Sequence, residues 1–162
     1  MLFAVNAAAD TKNGIITGTS INWTYDTESY TLTLSGSGAL PDYNSWTVNK
    51  KHYFRTNENA LIGKDYIMDV VVHINIESGI NTIGMYYFYD AKKLETLTLS
   101  ESVTVIKENA FGMCTNLKEI KGSINNEIEV ASSAFEGCQF IAENDGMLVM
   151  GNTLVAAYSE FE

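Results

Sequence analysis

The sequence has few residues that can bind a metal or carry out catalysis. It contains two cysteines and two histidines among 162 residues. A structural zinc site needs four closely grouped Cys or His ligands, and neither Cys114 nor Cys138 has a histidine near it in sequence. Metalloprotease, phosphate-loop and dinucleotide motifs do not occur. We therefore predict no catalytic residue, no metal and no cofactor, and we expect a protein that is not an enzyme.

Positive charge is also scarce. There are 10 Lys and Arg against 20 Asp and Glu, which gives a formal net charge of −10. Nucleic acids and anionic membrane surfaces both bind positively charged patches, so the charge argues against both as partners. No apolar run reaches the roughly 18 residues that a membrane helix needs, so we predict no membrane insertion.

Proline occurs once, whereas Thr, Tyr, Ile and Val are plentiful, which favours strands. Apolar residues make up 46% and charged residues 19% of the chain, a composition that supports a packed core. The length suits one domain. These totals predict a mainly β protein.

The main feature of the sequence is a repeat. The segment "INIESGINTIGMYYFYDAKKLETL" aligns with "LTLSESVTVIKENAFGMCTNLKEI" at a spacing of 23 residues, and a third copy follows at a spacing of 24. One inserted residue in "KGSINNEIEV" accounts for the change of spacing. Two sets of residues occupy equivalent positions in the three copies: Phe88, Phe111 and Phe135, and Ala91, Cys114 and Cys138.

A period of about 20–29 residues with spaced Leu and Ile is typical of a leucine-rich solenoid. Each coil is too small to bury its own apolar side, so coils stack and equivalent residues form ladders at a strand spacing of about 4.8 Å. We therefore predict about three coils that share an aromatic ladder and, beside it, a ladder of small residues. Cys114 and Cys138 are interpreted as buried thiols, with a disulfide between them as the alternative.

The stretch "SVTVIKENAFGMCTNLKEI" resembles the BspA-type leucine-rich repeat, and "WTYDTESYTLTLSGSGALPDY" resembles the strand-rich segment that often precedes such repeats. Together the two resemblances extend from about Trp23 to Ile141. The first copy departs from the pattern, with Tyr87 before its Phe and Ala91 in place of Cys. The resemblance implies a secreted or cell-surface bacterial protein used in adhesion or partner binding.

Three regions follow from these patterns. Residues 1–14 are expected to be disordered or the remnant of a signal peptide, and 15–69 are expected to form a β-rich cap with an irregular loop. Residues 70–162 are expected to hold the repeats and a terminal hairpin. Within the cap, alternation predicts a hairpin from Ile21 to Leu34, and the loop includes a short helix around Glu58 to Ile62. The stretch "DVVVHINI" is predicted as a strand, and Gly151-Asn152 predicts the terminal hairpin.

Two surfaces are candidates for binding a partner. The first is the outward face of the repeat strands, where the pattern predicts two polar ladders: His73, Thr96 and Glu119, and Asn75, Thr98 and Lys121. The second consists of aromatic residues, of which Trp46 in the loop and Tyr86 next to the first Phe are the main candidates.

The leading hypothesis is an extracellular recognition or adhesion module that binds a host or cell-surface protein through the solenoid surface. One alternative is a glycan-binding module that uses the exposed aromatic side chains. Another is an architectural spacer within a larger surface protein.

Overall fold

The computed structural model describes residues 10–44, 52–125, 127–139, 147–150 and 153–157. The described chain is mainly β, as predicted. The strands are β1 (Thr11–Ile15), β2 (Ser20–Asp26), β3 (Thr31–Ala39), β4 (Leu61–Ile62), β5 (Asp65–Tyr66), β6 (His73–Ile76), β7 (Ile80–Ile83), β8 (Thr96–Leu99), β9 (Val105–Ile106), β10 (Glu119–Gly122), β11 (Glu129–Val130), β12 (Met147–Met150) and β13 (Thr153–Ala157). The helices are α1 (Tyr53–Thr56), a 3₁₀ turn (Glu58–Ala60) and α2 (Ile67–Val70).

Nine of the strands form one sheet that curls around the core and has two ladders. The long ladder runs in the order β1-β2-β3-β6-β8-β10 and is parallel from β3 onward. The short ladder runs in the order β3-β7-β9-β11 and is parallel throughout. The two ladders are the two strand-bearing sides of the stacked coils, so the predicted short solenoid is confirmed.

The strand register agrees with the spacing of the repeats. Along the long ladder, Thr96 pairs with residues 23 positions before and after it, His73 and Glu119. Along the short ladder, Ile106 pairs with Ile83 at 23 positions and with Val130 at 24. The extra residue therefore lies between β10 and β11, within the segment that the sequence indicated.

The aromatic residues of the three coils stack in a column. The ring centroids of Phe88 and Phe111 are 5.1 Å apart with an interplanar angle of 17°. Those of Phe111 and Phe135 are 5.1 Å apart with an angle of 6°. All three side chains are buried. Stacked rings of this kind remove a large apolar area from water in each coil, which stabilises one coil on the next.

The cap is continuous with the solenoid because β3 belongs to both ladders. Its first half pairs with β6 and its second half pairs with β7. Thr31 pairs with His73, 42 positions later, whereas successive coils are offset by 23. The first turn of the solenoid is thus a longer coil, and its additional residues include the two short helices and the β4-β5 pair.

Aromatic residues of this longer coil extend the column toward the cap. Phe54 packs edge-on against Trp23, with centroids 5.6 Å apart, and against Tyr87 at 6.4 Å. Tyr87 in turn lies 4.9 Å from Phe88. The cap therefore covers the first coil with a cluster of rings, which protects the apolar end that a solenoid would otherwise expose.

Several expectations about the cap need correction. Residues 11–14 belong to β1, which pairs with β2, so this stretch of the segment expected to be disordered is ordered. The alternation that predicts the second strand of the hairpin includes Tyr30, but Tyr30 lies in the turn before β3 with a φ of 54°. The first residues of "DVVVHINI" end α2, and the strand begins only at His73. The helix expected around Glu58 to Ile62 is a 3₁₀ turn that ends at Ala60.

Beyond the third coil, β12 and β13 pair antiparallel, with a register shift at Leu148/Val149. This pairing confirms the terminal hairpin. Among the described helices, none has the length and apolar character required to cross a membrane.

Candidate partner-binding surface

The long ladder presents a polar face to solvent. Along β6 and β8, Ile74, Ile76, Leu97 and Leu99 point into the core, and the residues between them point outward and are partly exposed. Alternation with a period of two produces this division, because successive side chains of a strand lie on opposite faces of the sheet.

Strand register arranges the outward side chains into two rows that cross all six strands of the long ladder. The first row is Thr11, Asp26, Thr31, His73, Thr96 and Glu119. The second row is Asn13, Thr24, Thr33, Asn75, Thr98 and Lys121. We call this surface the polar face. It brings together the six residues that the sequence predicted for the two ladders.

The cap contributes half of the polar face, which the sequence analysis missed. A signal for it was present, because the first four residues of β3, "TLTL" at 31–34, are identical to the four residues of β8 at 96–99. The two segments pair on opposite sides of β6. Recognising this identity would have placed β3 in the solenoid as a further coil.

Charge on the polar face lies toward its ends. Glu119 and Lys121 of β10 form an ion pair, with Oε2 and Nζ 2.9 Å apart, and both are about half exposed. Near the other end, the backbone N–H groups of Ser29 and Glu28 donate to the Asp26 carboxylate and hold its pKa below the usual value. Between these ends, hydroxyl, amide and imidazole groups cover β3, β6 and β8.

The aromatic candidates are not on the polar face. Trp46 lies outside the described residues. Tyr86 lies on the turn that contains Phe88, where its ring centroid is 5.2 Å from that of Tyr89. Tyr87 and Phe88 are fully buried, whereas Tyr86 and Tyr89 are partly exposed. Two of these four consecutive rings therefore face the core, and the other two lie at the surface.

The two cysteines occupy equivalent positions beside the ring column and are free thiols. Cys114 Sγ donates to the carbonyl oxygen of Phe88, and Cys138 Sγ donates to that of Phe111, each at 3.2 Å. Each thiol thus satisfies a carbonyl group of the preceding coil. The interpretation as buried thiols is confirmed.

The side chains that could bind a metal ion are scattered in the described part of the chain. No cluster of three His, Cys, Asp or Glu side chains there could hold a metal ion. His52 is buried in the cap, and His73 lies on the polar face. An open groove of about 520 Å³ lies along β9 and β11, lined mainly by aliphatic and charged side chains and separate from the polar rows.

Comparisons with known proteins agree with this architecture. A crystal structure of a leucine-rich repeat protein from Eubacterium ventriosum matches with a TM-score of 0.55 and 23% identity over 76% of this chain. The match covers 28% of that protein, so this chain corresponds to less than a third of its length. No curated protein matches the chain.

The family model described as "BspA type Leucine rich repeat region (6 copies)" matches residues 57–145, which is more than half of the chain. The match includes the three coils and the ring column. The chain belongs to the BspA-type leucine-rich repeat family.

Proposed function

We propose that the protein is an extracellular recognition module that binds a protein partner through the polar face. Leucine-rich repeats of this family generally mediate protein interactions, are typically non-enzymatic and are typical of bacterial surface proteins. The observation that carries the proposal is the pair of continuous polar rows across six strands, because it gives one broad surface built on a rigid sheet.

The chemistry of the polar face supports recognition of a hydrogen-bonding partner. The threonine hydroxyl groups and the Asn75 amide both donate and accept hydrogen bonds. They project from paired strands that are already ordered, so binding costs little conformational entropy.

The direct test introduces one bulky charged side chain at the centre of the polar face. Wild-type protein and the Thr96→Arg variant are compared by surface plasmon resonance against a panel of extracellular matrix proteins. We expect the variant to lose at least tenfold in affinity for the matrix protein that binds, with an unchanged melting temperature, because Thr96 is partly exposed on the sheet surface.

The matched control is Ser132→Arg, which adds the same side chain at an exposed position on the turn of the third coil, away from the polar rows. It should bind like the wild type. Equal binding by wild type and Thr96→Arg would refute the use of the polar face. If no matrix protein binds while a glycan array gives a signal that Tyr86→Leu abolishes, the glycan alternative replaces the proposal.

A further inference from the structure

The turns that contain Phe88, Phe111 and Phe135 form an edge of the solenoid that the proposed function does not use. Backbone hydrogen bonds hold these turns in register: Tyr86 N–H donates to Glu108 O at 3.2 Å, and Met113 N–H donates to Glu136 O at 2.7 Å. Side chains at equivalent turn positions are therefore neighbours from one coil to the next. This alignment places Tyr86, Tyr89 and Met113 on one surface, which we call the turn patch.

Two glycines make room for the side chains of the turn patch. A Cβ atom at Gly112 would lie 2.9 Å from Cδ2 of Tyr89, and one at Gly137 would lie 2.6 Å from Sδ of Met113. The Tyr89 ring thus rests on the backbone of the second coil, and the Met113 thioether rests on that of the third. Met113 remains 42% exposed, which makes it one of the most exposed large apolar side chains described.

Acidic residues lie next to the turn patch. Burial raises the pKa of Tyr89, and the nearby negative charges of Asp90 and Glu136 raise it further. Asp90 is partly neutralised by Lys92, at 3.4 Å. Glu108 and Glu136 are exposed and have no ion-pair partner among the described residues. The charge near the Tyr89 side chain is therefore mainly negative, and Lys92 opposes it in part.

We propose that the turn patch binds a lysine or arginine side chain of a basic peptide segment. A cation is attracted to the faces of aromatic rings. The Glu136 carboxylate near Tyr89 and the exposed Glu108, whose backbone carbonyl accepts from Tyr86 N–H, complement its charge. The flexible Met113 side chain can pack against the aliphatic part of the long basic side chain. The Tyr86 and Tyr89 rings are inclined by 54°, so they offer no common plane on which a sugar ring could stack.

The test is an NMR titration of the ¹⁵N-labelled full chain at low salt. The probes are a decapeptide of alternating Arg and Ser and the same peptide with Gln in place of every Arg. We expect amide shifts confined to Tyr89, Gly112, Met113 and Gly137 and their neighbours with the Arg peptide, and none with the Gln peptide. Binding should weaken as salt is added.

Variants separate ring chemistry from packing. Tyr89→Phe keeps the aromatic face and should bind like the wild type, whereas Tyr89→Leu keeps apolar contact without the ring and should bind about three- to tenfold more weakly. Replacing both Glu108 and Glu136 by Gln should weaken binding and reduce its salt dependence. Glu101→Gln removes one exposed carboxylate elsewhere and should have no effect.

Four results would overturn the proposal: no shift with the Arg peptide, equal shifts with the Gln peptide, shifts spread over all acidic surfaces, or equal binding by Tyr89→Leu and wild type. Should Tyr89→Leu fail to fold, the Glu108 and Glu136 double variant decides the matter, because both side chains are exposed. Cello- and chito-hexaose serve as neutral competitors, and displacement of the Arg peptide by either would also count against a cation site.

Discussion

At the scale of single residues, the two cysteines show how a chemically reactive side chain is made inert. Burial raises the pKa of the Cys114 thiol well above its usual value, and the neighbouring Cys138 thiol raises it further. The thiolate is the reactive form, so a buried thiol with a raised pKa reacts slowly. Both sulfurs also donate to carbonyl groups of the preceding coil.

We therefore predict that thiol reagents label the folded protein only as fast as it unfolds. When the folded protein is mixed with a chromogenic disulfide reagent at pH 8, both thiols should be labelled slowly. In urea, labelling of both thiols should be complete within seconds. A reductant should leave the melting temperature unchanged. Cys114→Ala should fold, because Ala91 occupies the equivalent position of the first coil. This variant should show one slowly labelled thiol instead of two. Rapid labelling of both thiols without urea would contradict this prediction.

His52 is a second residue whose environment fixes its protonation state. Its Nε2–H donates to Tyr87 O, and its Nδ1 accepts from Phe54 N–H at 3.1 Å, which requires a neutral ring. Burial lowers its pKa to about 3; the hydrogen bond to Tyr87 opposes this shift, and the positive charge of Arg55 adds to it. Tyr43 covers the ring, with centroids 4.6 Å apart.

The shift has a consequence for stability at low pH. Below a pH of about 6.5 the unfolded chain binds a proton on His52, while the folded chain does not until about pH 3, so stability decreases as pH falls through this window. Between pH 7 and pH 5 the loss is about 2 kcal/mol for one such group. The free energies of unfolding of wild type and His52→Gln are measured with urea at pH 7 and pH 5. The difference between the two proteins should be smaller at pH 5 by this amount. A constant difference would show that His52 does not remain neutral in the fold.

At the scale of elements, β3 pairs with β6 in the long ladder and with β7 in the short ladder. Gly36 lies between the two paired parts of the strand. Gly36 has a φ of 113°, and a Cβ atom there would lie 2.2 Å from the carbonyl oxygen of Ser20 on β2. Gly38 lies two residues later on the same strand with a φ of 105°, and a Cβ atom there would meet nothing within 4 Å. The two glycines thus share a positive φ, which would strain any other residue, but they differ in the contacts that a Cβ atom would make.

This difference predicts unequal effects of the same substitution. Gly38→Ala should cost about 1–3 kcal/mol from backbone strain alone. Gly36→Ala should cost clearly more, because β2 would have to move away from β3. Urea unfolding measures both, and a change in m for Gly36→Ala would show that the cap no longer pairs with the solenoid. If both substitutions lowered the free energy of unfolding equally, β2 would be able to move away from Gly36 without losing stability.

The elements also show why the sequence predicted the repeats better than the cap. Equivalent residues of stacked coils face the same neighbours, so the ring column and the small residues recur and can be found by alignment. In the cap, α2 depends on contacts between distant segments: the Arg55 guanidinium donates to Tyr89 O and pairs with Asp69 of α2 at 3.6 Å. β1 depends on its pairing with the next strand, β2. The patterns used in the sequence analysis did not indicate these contacts. The "TLTL" identity, which signals that β3 is part of the solenoid, was missed.

At the scale of the whole molecule, the solenoid is a chain of nearest-neighbour contacts. Phe111 touches both Phe88 and Phe135, whereas Phe88 and Phe135 are separated by the second coil. In such an architecture, stability is approximately the sum of the intrinsic stability of each coil and the interfaces between adjacent coils. Energetic coupling should therefore depend on adjacency along the column.

Double-mutant cycles with Phe→Leu substitutions test this organisation. Phe88→Leu and Phe111→Leu should be coupled by about 0.5–3 kcal/mol, and so should Phe111→Leu and Phe135→Leu, because each pair shares a stacked contact. Phe88→Leu and Phe135→Leu should be additive within about 0.3–0.5 kcal/mol, since no contact joins them. The free energies come from urea unfolding under identical conditions. Coupling between Phe88 and Phe135 as large as that of the adjacent pairs would mean that the coils behave as one indivisible core, and the nearest-neighbour description of this solenoid would be wrong.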